Sequence, residues 1–221
     1  KINIKKDRDE KILSSKGREF NFISFKNFHF KKNGPRVFLE VYKDKLFTIT
    51  GTGVISFIKL EDFYTKNNLS LKIIRSNLKN FVSLNKIIGN PQLFLNMKIY
   101  DNEIYVSYVN ELKNDCFNAT LLKGEINLRK IVFQEIFSPK DCVNKQNDYG
   151  EFQILQAGGA IEFIDKNRLF FSTGTFRFRD FAQNKKNIFG KILMIDQKEN
   201  SKKITSVGHR NVQGMQYDND K

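Results

Sequence analysis

The sequence predicts an all-β protein made of about three copies of a four-stranded sheet. Three observations predict it. Strand-like alternation runs along the whole chain while helical periodicity is scarce. The links between strand pairs are short and polar, of the kind tight hairpins prefer. One strand–turn–strand unit recurs four times. The 221 residues, 40% of them hydrophobic, suffice for one real core and are too few to assume two independent domains.

The runs RVFLEVY (36–42), KLFTIT (45–50), EIYVSYV (103–109), AIEFI (160–164), RLFFSTG (168–174) and KILMID (191–196) each read as a short strand. The links KD, DN and DKN join them into hairpins. In FNATLLKGEINLRKIVFQEIF (117–137), two strand-like runs are expected to meet at Gly124. FLEVYKDKLFTITGTG, LNMKIYDNEIYVSYV, AIEFIDKNRLFFSTGTF and VQGMQYDNDK are four versions of one unit, and the last supplies the first strand of a fourth repeat. They recur about every 50 to 65 residues, which suits the blades of a β-propeller. An ordinary β-sandwich with similar hairpins is the alternative. The expected organisation is an N-terminal extension and first strand over 1–35, then a partial propeller over 36–221. Its repeat units lie near 36–93, 94–155 and 156–210, with the next starting at 211. The aromatic run at 20–30 reads as blade-packing core.

A formal net charge of +14 invites a nucleic-acid partner, but the lysines occur singly or in pairs along the whole chain. A solvated basic surface is the better reading, and no nucleic acid is expected. No apolar run approaches the roughly 20 residues of a membrane-spanning helix. The N-terminal stretch lacks a signal-peptide core, so any targeting segment is expected to have been removed or never present. Cys116 and Cys142 lie in polar stretches, which favours a surface disulfide over two free thiols and an oxidising compartment: periplasm, secretion or cell surface. With two cysteines and two distant histidines, His29 and His209, no metal site is expected from these residues.

Three stretches in order, GGAIEFIDKNRLFFSTGTF, FGKILMID and VGHRNVQGMQYD, resemble the soluble quinoprotein glucose dehydrogenase and sorbosone dehydrogenase family. DKLFTITGTGVISFI and YDNEIYVSYV are similar to its first- and second-blade segments, so the resemblance runs from about Arg36 onward. It implies a six-bladed propeller with pyrroloquinoline quinone (PQQ) and calcium near a central channel, of which this chain is the N-terminal half. It also implies that Arg210 and Asn211 face the cofactor, the guanidinium pairing with carboxylates or carbonyl oxygens and the amide adding a donor. His209 is expected to hold the turn, and Gly208 and Gly214 to be required by backbone conformation. An inter-blade corner is the alternative for this turn.

Where the resemblance implies a histidine that takes the substrate's proton, at the opening of the strand with the double glycine, this sequence has Gln156. A glutamine cannot act as a general base near neutral pH. Thr175 and Thr50 replace polar residues at two further positions expected to face the channel, and Thr50 is kept with Gln156 as a candidate cofactor contact. Neither His29 nor His209 lies in the right strand, and Glu151, the nearest carboxylate to the vacant position, reads as an exposed charge at a strand start. The expected function is a sugar-dehydrogenase-like propeller that binds a carbohydrate or protein ligand. An active PQQ-dependent sugar oxidoreductase and a structural propeller in a surface assembly are the alternatives. The remaining blades are expected on another chain or fragment, because closure is how this fold hides its strand edges.

Overall fold

The computed structural model describes residues 2–15, 18–26, 36–82, 93–113, 115–146 and 150–218, giving the backbone alone for 2–15, 18–26 and 113. His29 and the side chains of the run at 20–30 lie outside the described residues. The strands are β1 (Ile2–Ser15), β2 (Arg18–Lys26), β3 (Val37–Tyr42), β4 (Lys45–Thr50), β5 (Ile55–Lys59), β6 (Asn68–Ser76), β7 (Phe94–Tyr100) and β8 (Glu103–Lys113). They continue with β9 (Cys116–Glu125), β10 (Lys130–Ile131), β11 (Gln134–Phe137), β12 (Val143–Asn144), β13 (Gly158–Phe163), β14 (Arg168–Thr173), β15 (Lys191–Asp196) and β16 (Ser201–Val207).

These strands form three sheets, antiparallel apart from the short parallel pairing of β10 with β6, which are the blades of part of a β-propeller. Blade 1 is β3-β4-β5-β6, and the β1–β2 hairpin extends its outer edge by pairing β1 with β6. Blade 2 is β7-β8-β9-β11, with β12 pairing at the start of β9. Blade 3 is β13-β14-β15-β16. The first strands β3, β7 and β13 are neighbours, so the blades fan from a common inner side. The chemistry of the turns explains the hairpins. Asp101 and Asn102 between β7 and β8 take φ values of 45° and 64°, the left-handed pair that a two-residue hairpin needs. Asp165 Oδ1 accepts the N–H groups of Asn167 and Arg168 (2.9 and 2.8 Å), closing the link from β13 to β14.

One core runs between the blades, from Phe47 and Ile49 of blade 1 through Met97, Val106 and Leu121 of blade 2 to Phe171 and Leu193 of blade 3. Blade 1 has a smaller cluster on its other face, where Ile58, Leu69 and Leu71 meet Leu46 and Phe63. Charges stitch the inner strands. Lys98 on β7 lies 2.9 Å from Glu162 on β13 and 4.0 Å from Glu40 on β3. Burial pushes the Glu40 carboxyl above its ordinary range; Lys98 opposes that shift and Glu162 adds to it.

One expectation is corrected. The strand break expected at Gly124 falls later, after Glu125, because β9 runs straight through Gly124. A Cβ there would sit 2.8 Å from Ile131 and 2.9 Å from the Val132 carbonyl, so the glycine serves close packing and makes no turn. Residues 208–218, where the next unit is expected to start, carry no strand pairing among the described residues. The segment lies against blades 2 and 3, where the Asn96 amide donates to the Gln213 carbonyl (3.3 Å) and Ser172 Oγ to the Val212 carbonyl (2.8 Å).

Candidate functional site

At one end of blade 3, three segments that the sequence keeps far apart are tied together: 151–158 before β13, 174–190 between β14 and β15, and 208–212 after β16. The Thr175 N–H donates to the Arg210 carbonyl (3.0 Å), the Phe176 N–H to Gln156 (2.9 Å), and the Gln153 N–H back to Phe176 (3.0 Å). The Gly208 N–H reaches Ala182 (2.8 Å) and the His209 N–H reaches Gly190 (3.0 Å). Gly174 makes this interlock possible, because a Cβ on it would lie 2.0 Å from the Gln156 carbonyl oxygen. Gly208 has a φ of +91°, as its role in a tight corner requires. Gly214, expected to be equally constrained, sits in open space outside the left-handed region.

The structure brings three of the candidate residues together. Arg210 is exposed, and its Nε donates to Gln156 Oε1 at 3.3 Å. Asn211 is committed to the backbone: its Oδ1 accepts the Gly158 N–H (3.0 Å) and its Nδ2 donates to the Leu155 carbonyl (3.4 Å). It therefore pins the turn that carries Gln156. Gln156 ends the short helical turn Ile154–Gln156, two residues before β13, and does not open that strand. His209 Nε2 shares a 2.7 Å hydrogen bond with Ser206 Oγ, which steadies the turn.

Thr50 stands apart. It is fully buried at the end of β4, and its hydroxyl holds the next turn together, meeting Thr52 Oγ1 (2.9 Å) and accepting the Val54 N–H (3.0 Å). Thr175 is also fully buried, and its hydroxyl has no hydrogen-bond partner among the described residues. Glu151 lies in an irregular segment ahead of the helical turn and not at a strand start, with Oε2 3.7 Å from Arg177 Nε. Cys116 and Cys142 are joined as a disulfide, Cα to Cα 5.3 Å, where β12 pairs with the start of β9.

Sequence reasoning missed the residue that fixes the central loop. Lys191 is fully buried at the head of β15, and its ammonium donates to the carbonyls of Phe181 (2.7 Å), Ala182 (3.0 Å) and Phe189. Burial lowers its pKa. The available signal was a lysine opening an otherwise apolar strand directly after a glycine. Among the described residues, no group of three or more His, Cys, Asp or Glu is placed to hold a metal ion. No helix among the described residues is long and apolar enough to cross a membrane.

Fan-like blades with a polar arginine–amide site at their loop end define a β-propeller of the sugar-dehydrogenase kind. The family model described as Glucose / Sorbosone dehydrogenase matches residues 95–221, more than half of the chain, and the chain belongs to that family. Among solved structures it is similar to a protein titled glucose dehydrogenase, with 15% identity and a TM-score of 0.58, covering 83% of this chain and 57% of that one. A second glucose dehydrogenase structure matches at 15% identity and TM-score 0.57, covering 83% and 54%. The PQQ-bound form of aldose sugar dehydrogenase from Streptomyces coelicolor matches at 13% identity and TM-score 0.57, covering 85% and 59%. At such identities the likeness shows the fold, and the chain spans under two thirds of each of these proteins. Comparison with curated protein sequences finds no match.

Proposed function

We propose that this chain forms part of a quinoprotein-like propeller that binds a carbohydrate or protein ligand at the loop end of blade 3 and has lost the base for sugar oxidation. The observation that carries this reading is the Gln156–Arg210 contact. Where the resemblance puts a proton acceptor, an amide oxygen instead accepts from a guanidinium. An amide neither takes nor holds a proton near neutral pH. Of the four residues expected to meet the cofactor, Arg210 fits best, because its exposed guanidinium suits the carboxylates of PQQ. When bound, PQQ would supply a two-electron acceptor. Gln156 would add an amide oxygen, Asn211 would hold the turn in place, and Thr50 would keep its hydroxyl bonded within its own turn. Among the described residues, calcium finds no group of three or more His, Cys, Asp or Glu side chains to hold it.

The remaining blades are proposed to come from elsewhere in the assembly, covering the exposed Leu39, Val41 and Ile73 of blade 1. The disulfide fits a periplasmic, secreted or cell-surface setting. The test is titration of the protein with PQQ, followed by the cofactor's absorbance. Saturable binding weakened at least about tenfold by Arg210→Ala supports a quinone-binding turn. Absence of binding, or binding indifferent to Arg210→Ala, leaves the turn as a blade corner.

A further inference from the structure

Beside the interlocked loops lies a cleft of about 290 Å³, lined by Glu151, Arg177, Phe178, Arg179, Asp180 and Phe181. It has the dimensions of a small ligand site, near the lower end of roughly 300 Å³ for such pockets. We infer that this cleft recognises a saccharide bearing a carboxylate, a hexuronate-type sugar, and the inference rests on the proposed ligand-binding role of this end of blade 3.

Four observations converge. The first is an apolar wall held in place: the Phe178 and Phe181 rings stack at 5.3 Å with an interplanar angle of 13°, and Phe181 backs onto Phe189 at 5.6 Å. The C–H face of a pyranose packs on such a surface. The second is the charge of the loop. Residues 175–190 carry Arg177, Arg179, Lys185 and Lys186, all exposed, against Asp180 as the single acid. Glu151 offsets part of this through Arg177 and leaves the surrounding field basic. Guanidinium forks match carboxylate geometry in a way that sugar hydroxyls alone do not.

The third observation is backbone conformation. Phe176 and Arg177 are consecutive non-glycine residues at φ values of 50° and 86°, a region that side-chain-bearing residues rarely adopt. The buried Phe176 ring and the two hydrogen bonds between Phe176 and the 153–156 turn hold them there. Such strain persists where the surroundings over-determine it, and here it sets the path of the Phe-Arg-Phe-Arg run along the cleft. The fourth is rigidity: Lys191 clamps the carbonyls of Phe181, Ala182 and Phe189, so the cleft stands on a fixed base.

The experiment titrates the full chain, without quinone, with sodium D-glucuronate and separately with D-glucose, by calorimetry and saturation-transfer NMR. The expected result is saturable glucuronate binding at least about tenfold tighter than glucose, weakened about tenfold or more in Arg179→Ala and reduced by salt. Arg179→Lys, which keeps the charge and loses the fork, should recover only part of the affinity. Thermal melts confirm that each variant is folded; because Arg179 is exposed, its replacement leaves the core intact. Equal affinity for the two sugars, binding of neither, or glucuronate binding indifferent to both Arg179 variants overturns the inference. Because no quinone enters this measurement, its failure leaves the Arg210 titration standing, and failure of that titration leaves this result readable.

Discussion

Blade 1 and blade 3 share one plan of four antiparallel strands and differ in how their loop ends are built. In blade 1 the turn after β4 is closed by Thr50, Thr52 and Val54 and, among the described residues, takes a carbonyl from Arg36 and an N–H from Phe94. In blade 3 the corresponding loop is bonded to the segment before β13 and to the turn after β16, and Lys191 clamps it from beneath. Blade 1 thus ends in a turn closed mainly by its own side chains, whereas the loops of blade 3 fix one another. The difference teaches where this fold can carry a site. Side chains are held to a binding geometry only where several segments over-determine one another.

That contrast can be broken at several points. The largest effect is expected at the clamp. Lys191→Met takes the ammonium away from the carbonyls of Phe181, Ala182 and Phe189, of which Ala182 keeps the Gly208 N–H, and should cost about 3 kcal/mol or more in urea unfolding. Tyr64→Ser, at an exposed side chain between β5 and β6, should stay within about 0.5 kcal/mol. If Lys191→Met proved equally mild, the blade 3 loop would not depend on its clamp. Next in size is Gly174→Ala, whose methyl meets the Gln156 carbonyl at 2.0 Å and should cost about 2 to 3 kcal/mol. Gly214→Ala, in open space, serves as the matched control and should leave the melting temperature unchanged.

The smallest effect is a pH dependence seated between the blades. Burial raises the pKa of Glu40 in the folded chain above its ordinary value of 4.5. The folded state therefore holds this proton more tightly than the unfolded one. Glu40 favours folding fully below about pH 4.5, and that contribution fades as pH rises through the raised pKa. Stability followed by urea titration from pH 4 to 7 should lose part of its slope in Glu40→Gln. An unchanged slope would mean that Lys98 fully offsets the burial.

Much of the architecture was legible, for a physical reason. Links such as Asp101-Asn102 and Asp165-Lys166-Asn167 make turns by their own chemistry, and inner strands buried on both sides show as apolar runs. Outer strands are harder to see. In β16 (SKKITSV) most residues face solvent, so the alternation is weak, and the two-residue parallel pairing of β10 with β6 has no local signal at all. At the site, the motifs named Gln156, Arg210 and Asn211, which the structure gathers at one end of blade 3. They could not show that Asn211 is committed to the backbone, that Thr50 is buried, or that a lysine holds the loop from below. The first depends on contacts with residues more than fifty positions away, and the other two on how short loops fold back on themselves, which no spacing encodes.

The measurement that bears most directly on the central claim is turnover of a dye electron acceptor by the protein supplied with PQQ, calcium and an aldose, in wild type and in Gln156→His. With an amide at the proton-accepting position, the wild-type protein is predicted to bind without reducing the dye, and Gln156→His to show any activity that appears. Steady wild-type turnover above the Arg210→Ala control would contradict the account, because a base would then be at work that Gln156 cannot supply.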